Sequence, residues 1–215
     1  MEQIETNEFT TIRKIKLIIL FLSVIGIIMI TKEVFTKEIM TLDKIGYQFI
    51  STYMISDSMT PIAKIITKCG GVLILLLSTI ASLIFIKNKK IGIAITLNLL
   101  ISTCLNLILK NIVQRPRPIE YRLIDETGYS FPSGHSMISA AFYGFIIYLI
   151  YKNAKNHKIK ACLMIILSVL IVLIGMSRIY LGVHYTSDVI AGFLISVSYL
   201  MLYISVLKRT LLREK

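Results

Sequence analysis

Six stretches of this chain run for 15 to 19 residues without a charged side chain: Leu17–Thr31, Cys69–Ile86, Ile91–Leu109, Ser136–Tyr151, Ala161–Ser177 and Val189–Leu207. A hydrocarbon core of ~30 Å takes ~20 helical residues to cross, or ~17 at the short end, so the pattern predicts six transmembrane helices. Lys16 and Lys32 flank the shortest run, and by snorkelling to the interfaces they extend it at both ends. The expected spans are residues 15–31, 66–86, 91–109, 135–151, 161–177 and 188–207. Composition excludes the alternatives. With 55% of residues in the apolar set and 17% charged, and a mean hydropathy of +0.76, the chain is too apolar for a soluble globule or a disordered segment. At ~150 residues per domain, 215 residues make one unit, 1–215: an all-α, six-helix membrane bundle.

The net charge of +12 does not mark a nucleic-acid partner, because the cations sit in short clusters between apolar runs and form no continuous stripe. With six spans both termini share a side. That side carries fourteen cations: Arg13, Lys14, Lys16, Lys87, Lys89, Lys90, Lys152, Lys155, Lys158, Lys160, Lys208, Arg209, Arg213 and Lys215; ten remain for the other. The positive-inside rule then places both termini in the cytoplasm of a multi-pass cell-membrane protein. Glu33, Glu38, Asp43, Asp57, Glu120, Asp125, Glu126 and Asp188 fall outside, so the outer face carries both signs. The first span is expected to stay uncleaved, since no small-residue site follows it and Lys32-Glu33 come directly after. Cys69, Cys104 and Cys162 are odd in number and show no metal-ligand spacing, so they read as packed thiols.

Between the first two spans, Ile39, Leu42, Ile45, Phe49 and Tyr53 recur at helical spacing. This predicts one or two amphipathic helices, either lying at the outer interface as a rim to a site or packed on the bundle as a connector.

The unusual polar residues converge on the outer face. Lys110 ends the third span and is followed by Arg115-Pro116-Arg117-Pro118; taken alone, basic residues at a span end are anchors. Phe131-Pro132-Ser133-Gly134-His135-Ser136 turns into the fourth span, and the free N–H groups of such a helix start attract anions, although a plain capped helix has the same look. Arg178 ends the fifth span. His184 and Asp188, four apart before the sixth, share a helical face on which a carboxylate can orient an imidazole as nucleophile or base, although a lone pair of this kind is ordinarily a surface hydrogen bond. Three span ends delivering Lys110, Arg115, Arg117, His135, Arg178, His184 and Asp188 to one face are harder to read as anchors. Ionisable groups so grouped on a membrane bundle mark a site.

Lys110, six residues, then Arg117-Pro118; Pro132-Ser133-Gly134-His135; and Ser177-Arg178, five residues, His184, three residues, Asp188 resemble the three-part signature of the type 2 phosphatidic acid phosphatase superfamily. The signature region is 110–188, and the first 60 residues carry no motif of the family. The resemblance implies a six-span membrane phosphatase with its site at the extracytoplasmic face. It implies His184 as the nucleophile that forms a phosphohistidine, Asp188 as the holder of its ring, and His135 as the general acid that later activates water. It also implies a phosphate cradle of Lys110, Arg117 and Arg178 with Ser133 and the Gly134 amide. Arg115 lies outside the strict motif and reads as an auxiliary cation or headgroup contact. Fixed cations stabilise the equatorial oxygens of a transferring phosphoryl group without a metal, so neither metal nor cofactor is expected.

The expected substrates are membrane lipid phosphates or pyrophosphates: phosphatidylglycerol phosphate, undecaprenyl pyrophosphate or phosphatidic acid. The same chemistry would serve water-soluble esters. An anion transporter is the reading from another class, but transporters place ionisable groups near the midplane, and the six runs carry no charge or proline there. Vanadium-dependent haloperoxidases of the same superfamily share the cradle but are soluble. Neither headgroup nor oligomeric state is encoded in a motif.

Overall fold

The computed structural model describes residues 2–37 and 39–210, with the side chains of Thr11 and of the residues from Arg13 on. Glu38, Arg213 and Lys215, counted in the charge partition, lie outside the described residues. The regular structure among the described residues is helical: α1 (Glu2–Thr36), α2 (Thr41–Tyr53), α3 (Met59–Cys69), α4 (Val72–Phe85), α5 (Lys89–Val113), α6 (Gly134–Asn153), α7 (His157–Tyr180) and α8 (Thr186–Arg209).

Local sequence explains where the helices start and stop. Asn88 accepts the Lys90 N–H to begin α5, and Asn156 accepts those of Lys158 and Ile159 to begin α7. Each such cap is worth roughly 0.5–2 kcal/mol. Gln114, in the left-handed region at φ 50°, ends α5 just ahead of Pro116 and sends the chain across the end of the bundle. Among the described residues, five helices are long and apolar enough to cross a bilayer: Arg13–Thr36 of α1, and α5, α6, α7 and α8. The chain is thus an all-α, multi-span membrane protein.

The second expected span, 66–86, is not one straight helix. α3 and α4 meet at Gly70-Gly71 with a bend of 43°, and only together are they long enough to cross. Each glycine costs about 1 kcal/mol in a helix interior, and Gly71 takes an extended conformation at ψ 157°. The Cys69 carbonyl freed by the break accepts the Tyr143 hydroxyl at 2.7 Å, so the broken backbone keeps a hydrogen-bond partner.

α2 answers to the amphipathic stretch. It packs against α7 and α8, burying Asp43 and Ile50, and it turns Leu42, Ile45, Phe49 and Tyr53 outward. Its apolar stripe therefore faces away from the protein, as a helix lying at a lipid interface requires.

α6 is the central helix, in contact with α5, α7 and α8. Small residues let it approach α8: Ser136, Ala140 and Ala141 on one helix, Ala191, Gly192 and Ser196 on the other, all buried. Lipid supplies no hydrophobic drive between spans, so close backbone packing and interhelical hydrogen bonds hold them. The Ser196 hydroxyl donates to Met137 O at 2.6 Å, Asn98 Nδ2 to Ala141 O at 2.9 Å, and the Tyr203 hydroxyl to Ala94 O at 2.5 Å. One apolar cluster of Leu75, Ile95, Phe142, Phe145, Ile174 and Leu207 joins α4 to α8 around them.

Candidate active site

The C-terminal end of α5, the N-terminal end of α6, the C-terminal end of α7 and the N-terminal end of α8 meet at one end of the bundle. The irregular segment 114–133 closes over them. It is tied down by Ser130 N–H to Arg115 O at 2.8 Å and by Leu123 N–H to Leu181 O at 3.0 Å.

His184 sits in the turn between α7 and α8 and is 3% exposed. Its Nε2 lies 3.0 Å from Arg117 Nη1. A guanidinium only donates, so Nε2 must present its lone pair and the ring proton sits on Nδ1. Nδ1 faces Asp188 Oδ2 at 3.5 Å and Ser130 Oγ at 3.3 Å, while Ser130 donates to the same carboxylate oxygen at 2.5 Å. Asp188 also accepts the Tyr185 N–H at 2.9 Å and Arg115 Nη1 at 2.7 Å. Burial pushes the His184 pKa down to about 4; the Asp188 hydrogen bond and charge oppose this, and Arg117 and Arg178 add to it. The ring is therefore neutral across the physiological range, with a lone pair aimed at cations.

Those cations are Lys110, Arg117 and Arg178, close enough for their charges to act on one another. Arg117 is fixed by the carbonyls of Gly128, Thr127 and Val183, each within 3.0 Å. Arg178, 1% exposed, donates to Thr67 Oγ1 of α3 at 2.7 Å and to Glu126 Oε1 at 2.5 Å. Lys110 donates to the Tyr129 carbonyl. Glu126, 3.9 Å from Arg117 on its other oxygen, is thus a single carboxylate set among three cations. Burial would raise its pKa, but the Arg178 hydrogen bond and charge outweigh that and hold it below the usual range. Burying ions costs several kcal/mol each before pairing, so a cluster this dense is not a stabilising device. Such a cluster can receive an anion.

α6 enters the cluster at Ser133, whose hydroxyl accepts the Ser136 N–H at 3.4 Å and lies 2.8 Å from Ser136 Oγ. Gly134 lies against Asn106, with Lys110 next to it: a Cβ there would be 3.1 Å from Asn106 Oδ1 and 3.9 Å from Lys110 Cε. His135 is half-buried beside the α3–α4 break, its Nε2 3.7 Å from where a Gly71 side chain would begin. Arg115 is turned the other way, behind the histidine–aspartate pair, where it engages Asp43, Ser187 and Asp188. The structure therefore gathers Lys110, Arg117, Ser133, Gly134, His135, Arg178, His184 and Asp188 at one end of the bundle, with Arg115 seated behind them.

Sequence reading missed Asp43, Thr67, Glu126, Ser130 and Ser187. The acids had a signal: four cations on one buried face need counter-anions, and Asp43 and Glu126 were among the outer carboxylates. Nothing in the spacing singled out Thr67, Ser130 or Ser187. Among the described residues no group of three His, Cys, Asp or Glu side chains is arranged to hold a metal.

Residues 91–211 match the family model of the PAP2 superfamily. Phosphatidylglycerophosphatase B of Bacillus subtilis is 46% identical over 90 residues, which cover 41% of this chain and 44% of the relative. Undecaprenyl-diphosphatase of Sulfolobus acidocaldarius is 32% identical over 136 residues, 60% of this chain and 62% of the relative. The chain thus matches less than two thirds of the length of either curated relative. The crystal structure of a transmembrane PAP2-type phosphatidylglycerolphosphate phosphatase from Bacillus subtilis superposes with a TM-score of 0.79 at 26% identity, over 89% of this chain and 96% of that one. LpxE of Aquifex aeolicus, at a TM-score of 0.60 and 24% identity over 74% and 92% of the two chains, shares the fold.

Proposed function

The chain belongs to the PAP2 superfamily, and from that premise we propose that it is a metal-independent membrane phosphatase that hydrolyses lipid phosphates or pyrophosphates through a phosphohistidine. The observation that carries the proposal is the lone pair of His184 Nε2, directed at Arg117 in a cluster of three fixed cations. In the ground state Arg117 occupies that lone pair. An arriving phosphate offers the guanidinium better acceptors, and Nε2 is released facing phosphorus.

The reaction follows from these positions. His184 Nε2 attacks phosphorus while the bond to the leaving oxygen breaks, and protonated His135 gives that oxygen its proton. Lys110, Arg117, Arg178, Ser133 and the Gly134 amide hold the equatorial oxygens, where positioning and charge stabilisation supply most of the rate. Asp188 stabilises the positive charge that develops on the His184 ring. Neutral His135 then takes a proton from water, the hydroxide attacks phosphohistidine, and phosphate leaves with both imidazoles restored.

The bent pair α3–α4 reads as the second of six spans of one domain, residues 1–215. Six spans put both termini on one side, and the fourteen cations counted there against ten on the other support the cytoplasm for the termini and the extracytoplasmic face of the cell membrane for the site. Four spanning-helix ends then set the cations at headgroup depth, where a lipid presents its phosphate with its chains still in hydrocarbon. Each methylene left buried keeps about 0.8 kcal/mol relative to water. Phosphatidylglycerol phosphate, undecaprenyl pyrophosphate and phosphatidic acid all meet this description.

The test is a series with one headgroup and varied chain length, assayed above and below the micelle threshold, with His184→Ala as control. Long-chain phosphates should give the higher kcat/KM, and His184→Ala should be inactive. Equal efficiency at all chain lengths would move the substrate to water-soluble esters. Activity in His184→Ala would end the phosphohistidine mechanism.

A further inference from the structure

A carboxylate from outside the three motifs is linked through Arg115 to the histidine–aspartate pair. Asp43 lies in the first turn of α2 and is 3% exposed. Its Oδ1 accepts the Ser187 N–H at 2.8 Å, at the start of α8. Its Oδ2 accepts Arg115 Nη2 at 2.7 Å and the Met40 N–H at 3.1 Å. Arg115 passes Nη1 on to Ser187 Oγ and Asp188 Oδ1, both at 2.7 Å, with its guanidinium 4.1 Å from the centre of the Tyr185 ring. The chain Asp43–Arg115–Asp188–His184 therefore runs unbroken from the amphipathic helix to the imidazole.

We propose that Asp43 and Arg115 are positioning residues of the phosphoryl-transfer site, through which α2 fixes the plane of the Asp188 carboxylate and so the orientation of the His184 ring. This rests on His184 acting as nucleophile. Asp188 turns Oδ2 toward Ser130, Tyr185 N–H and His184 and Oδ1 toward Arg115, so the two oxygens are held from opposite sides. The guanidinium fork is planar and holds a fixed direction between two carboxylates. Without the Asp43 charge, Arg115 would face Asp188 alone and draw that carboxylate away from the imidazole.

Mere docking of α2 does not explain the arrangement. A helix that needs only an anchor is held at least as well by apolar side chains, because buried ion pairs carry a desolvation cost that packing does not. α2 has such an anchor in Ile50, which packs with Ile179, Tyr180 and Val189. Asp43 also caps its own helix through the Met40 N–H, but the ion pair with Arg115 is an addition to both contacts, and it leads to the site.

The test uses the full-length protein in detergent. Asp43→Asn keeps the size of the side chain and an acceptor for Ser187 N–H but removes the charge; Arg115→Lys keeps the charge but loses the fork. Both should lower kcat on the order of tenfold to a hundredfold, the scale of a small misplacement of a reacting group. KM and inhibition by orthovanadate should stay within about threefold, because the cradle cations are untouched. Acid-quenched phosphoenzyme should form more slowly by the same factor as kcat. Ile50→Ala, which loosens α2 without touching the charge chain, should lower the melting temperature and leave kcat of the folded protein near wild type.

A wild-type kcat in Asp43→Asn, a rise in KM alone, or an equal loss of kcat in Ile50→Ala would each overturn the inference. Those results would leave the nucleophile reading standing if His184→Ala is inactive. Activity in His184→Ala would remove that reading whatever Asp43→Asn does.

Discussion

Gly182 offers a sharp quantitative test of how the His184 turn is built. It takes φ +69°, and a Cβ there would lie 2.1 Å from Tyr121 O and 2.7 Å from its carbonyl carbon. Gly128 takes nearly the same φ, +73°, with nothing within 4 Å of its Cβ position. The two alanine variants therefore share a left-handed backbone cost of about 1–2 kcal/mol and differ only in the clash. Ordinary carbon–oxygen contact is about 3.3 Å, so Gly182→Ala must push two backbone segments apart by roughly 1 Å. The strand of chain it pushes runs on to His184, and the segment it pushes against is bonded to Leu181 through Leu123. A displacement of that size at a nucleophile costs on the order of a hundredfold in rate. The assay is kcat/KM on a long-chain lipid phosphate beside melting temperature in the same detergent. Gly128→Ala should lose a little stability and keep its activity; Gly182→Ala should lose more stability and on the order of a hundredfold in kcat/KM. Similar activity in the two would refute the claim that the 121–123 segment and the 178–184 turn are braced against each other.

Topology is tested with single cysteines in a background lacking Cys69, Cys104 and Cys162: Asp57→Cys should react with an impermeant thiol reagent on intact cells, and Asn88→Cys and Asn156→Cys should not. The reverse pattern would invert the orientation. The pH dependence follows from burial of His184, which lowers its folded-state pKa to about 4 from about 6.5 unfolded. The unfolded chain then binds the proton first, so stability is complete above about pH 6.5 and is lost as pH falls toward 4, by at most ~3 kcal/mol. Melting temperature should slope across that window in the wild type and less in His184→Asn. The acid limb of kcat/KM should fall below pH 5; a limb near 6.5 that moves in Asp188→Asn would contradict the burial argument.

What the sequence made legible, and what it hid, divides along a physical line. Helix positions were readable where lipid imposes a local rule, a run of apolar residues of fixed length: α5, α6, α7 and α8 begin and end within about four residues of the expected spans, whereas α1 starts at Glu2, well ahead of residue 15. The other exception, Gly70-Gly71, lies where two glycines weaken a helix that hydropathy alone describes as continuous. The gathering of Lys110, Arg117, His135, Arg178 and His184 was readable because each lies at a span end, so antiparallel packing of neighbours sufficed to bring them together. Asp43 and Glu126 obey no such rule. Asp43 stands 145 positions before Asp188, and its meeting with Arg115 depends on which face of α2 turns inward. The apolar stripe of Ile45, Phe49 and Tyr53 invited the opposite assignment, since in water that stripe would be the buried face. Lipid reverses the choice. The stripe faces outward, and the polar face, with Asp43 at its start, turns inward, where the carboxylate accepts the buried Arg115 and the Ser187 N–H. The same reversal explains how a region without a family motif comes to steady, through Arg115, the aspartate that faces the imidazole.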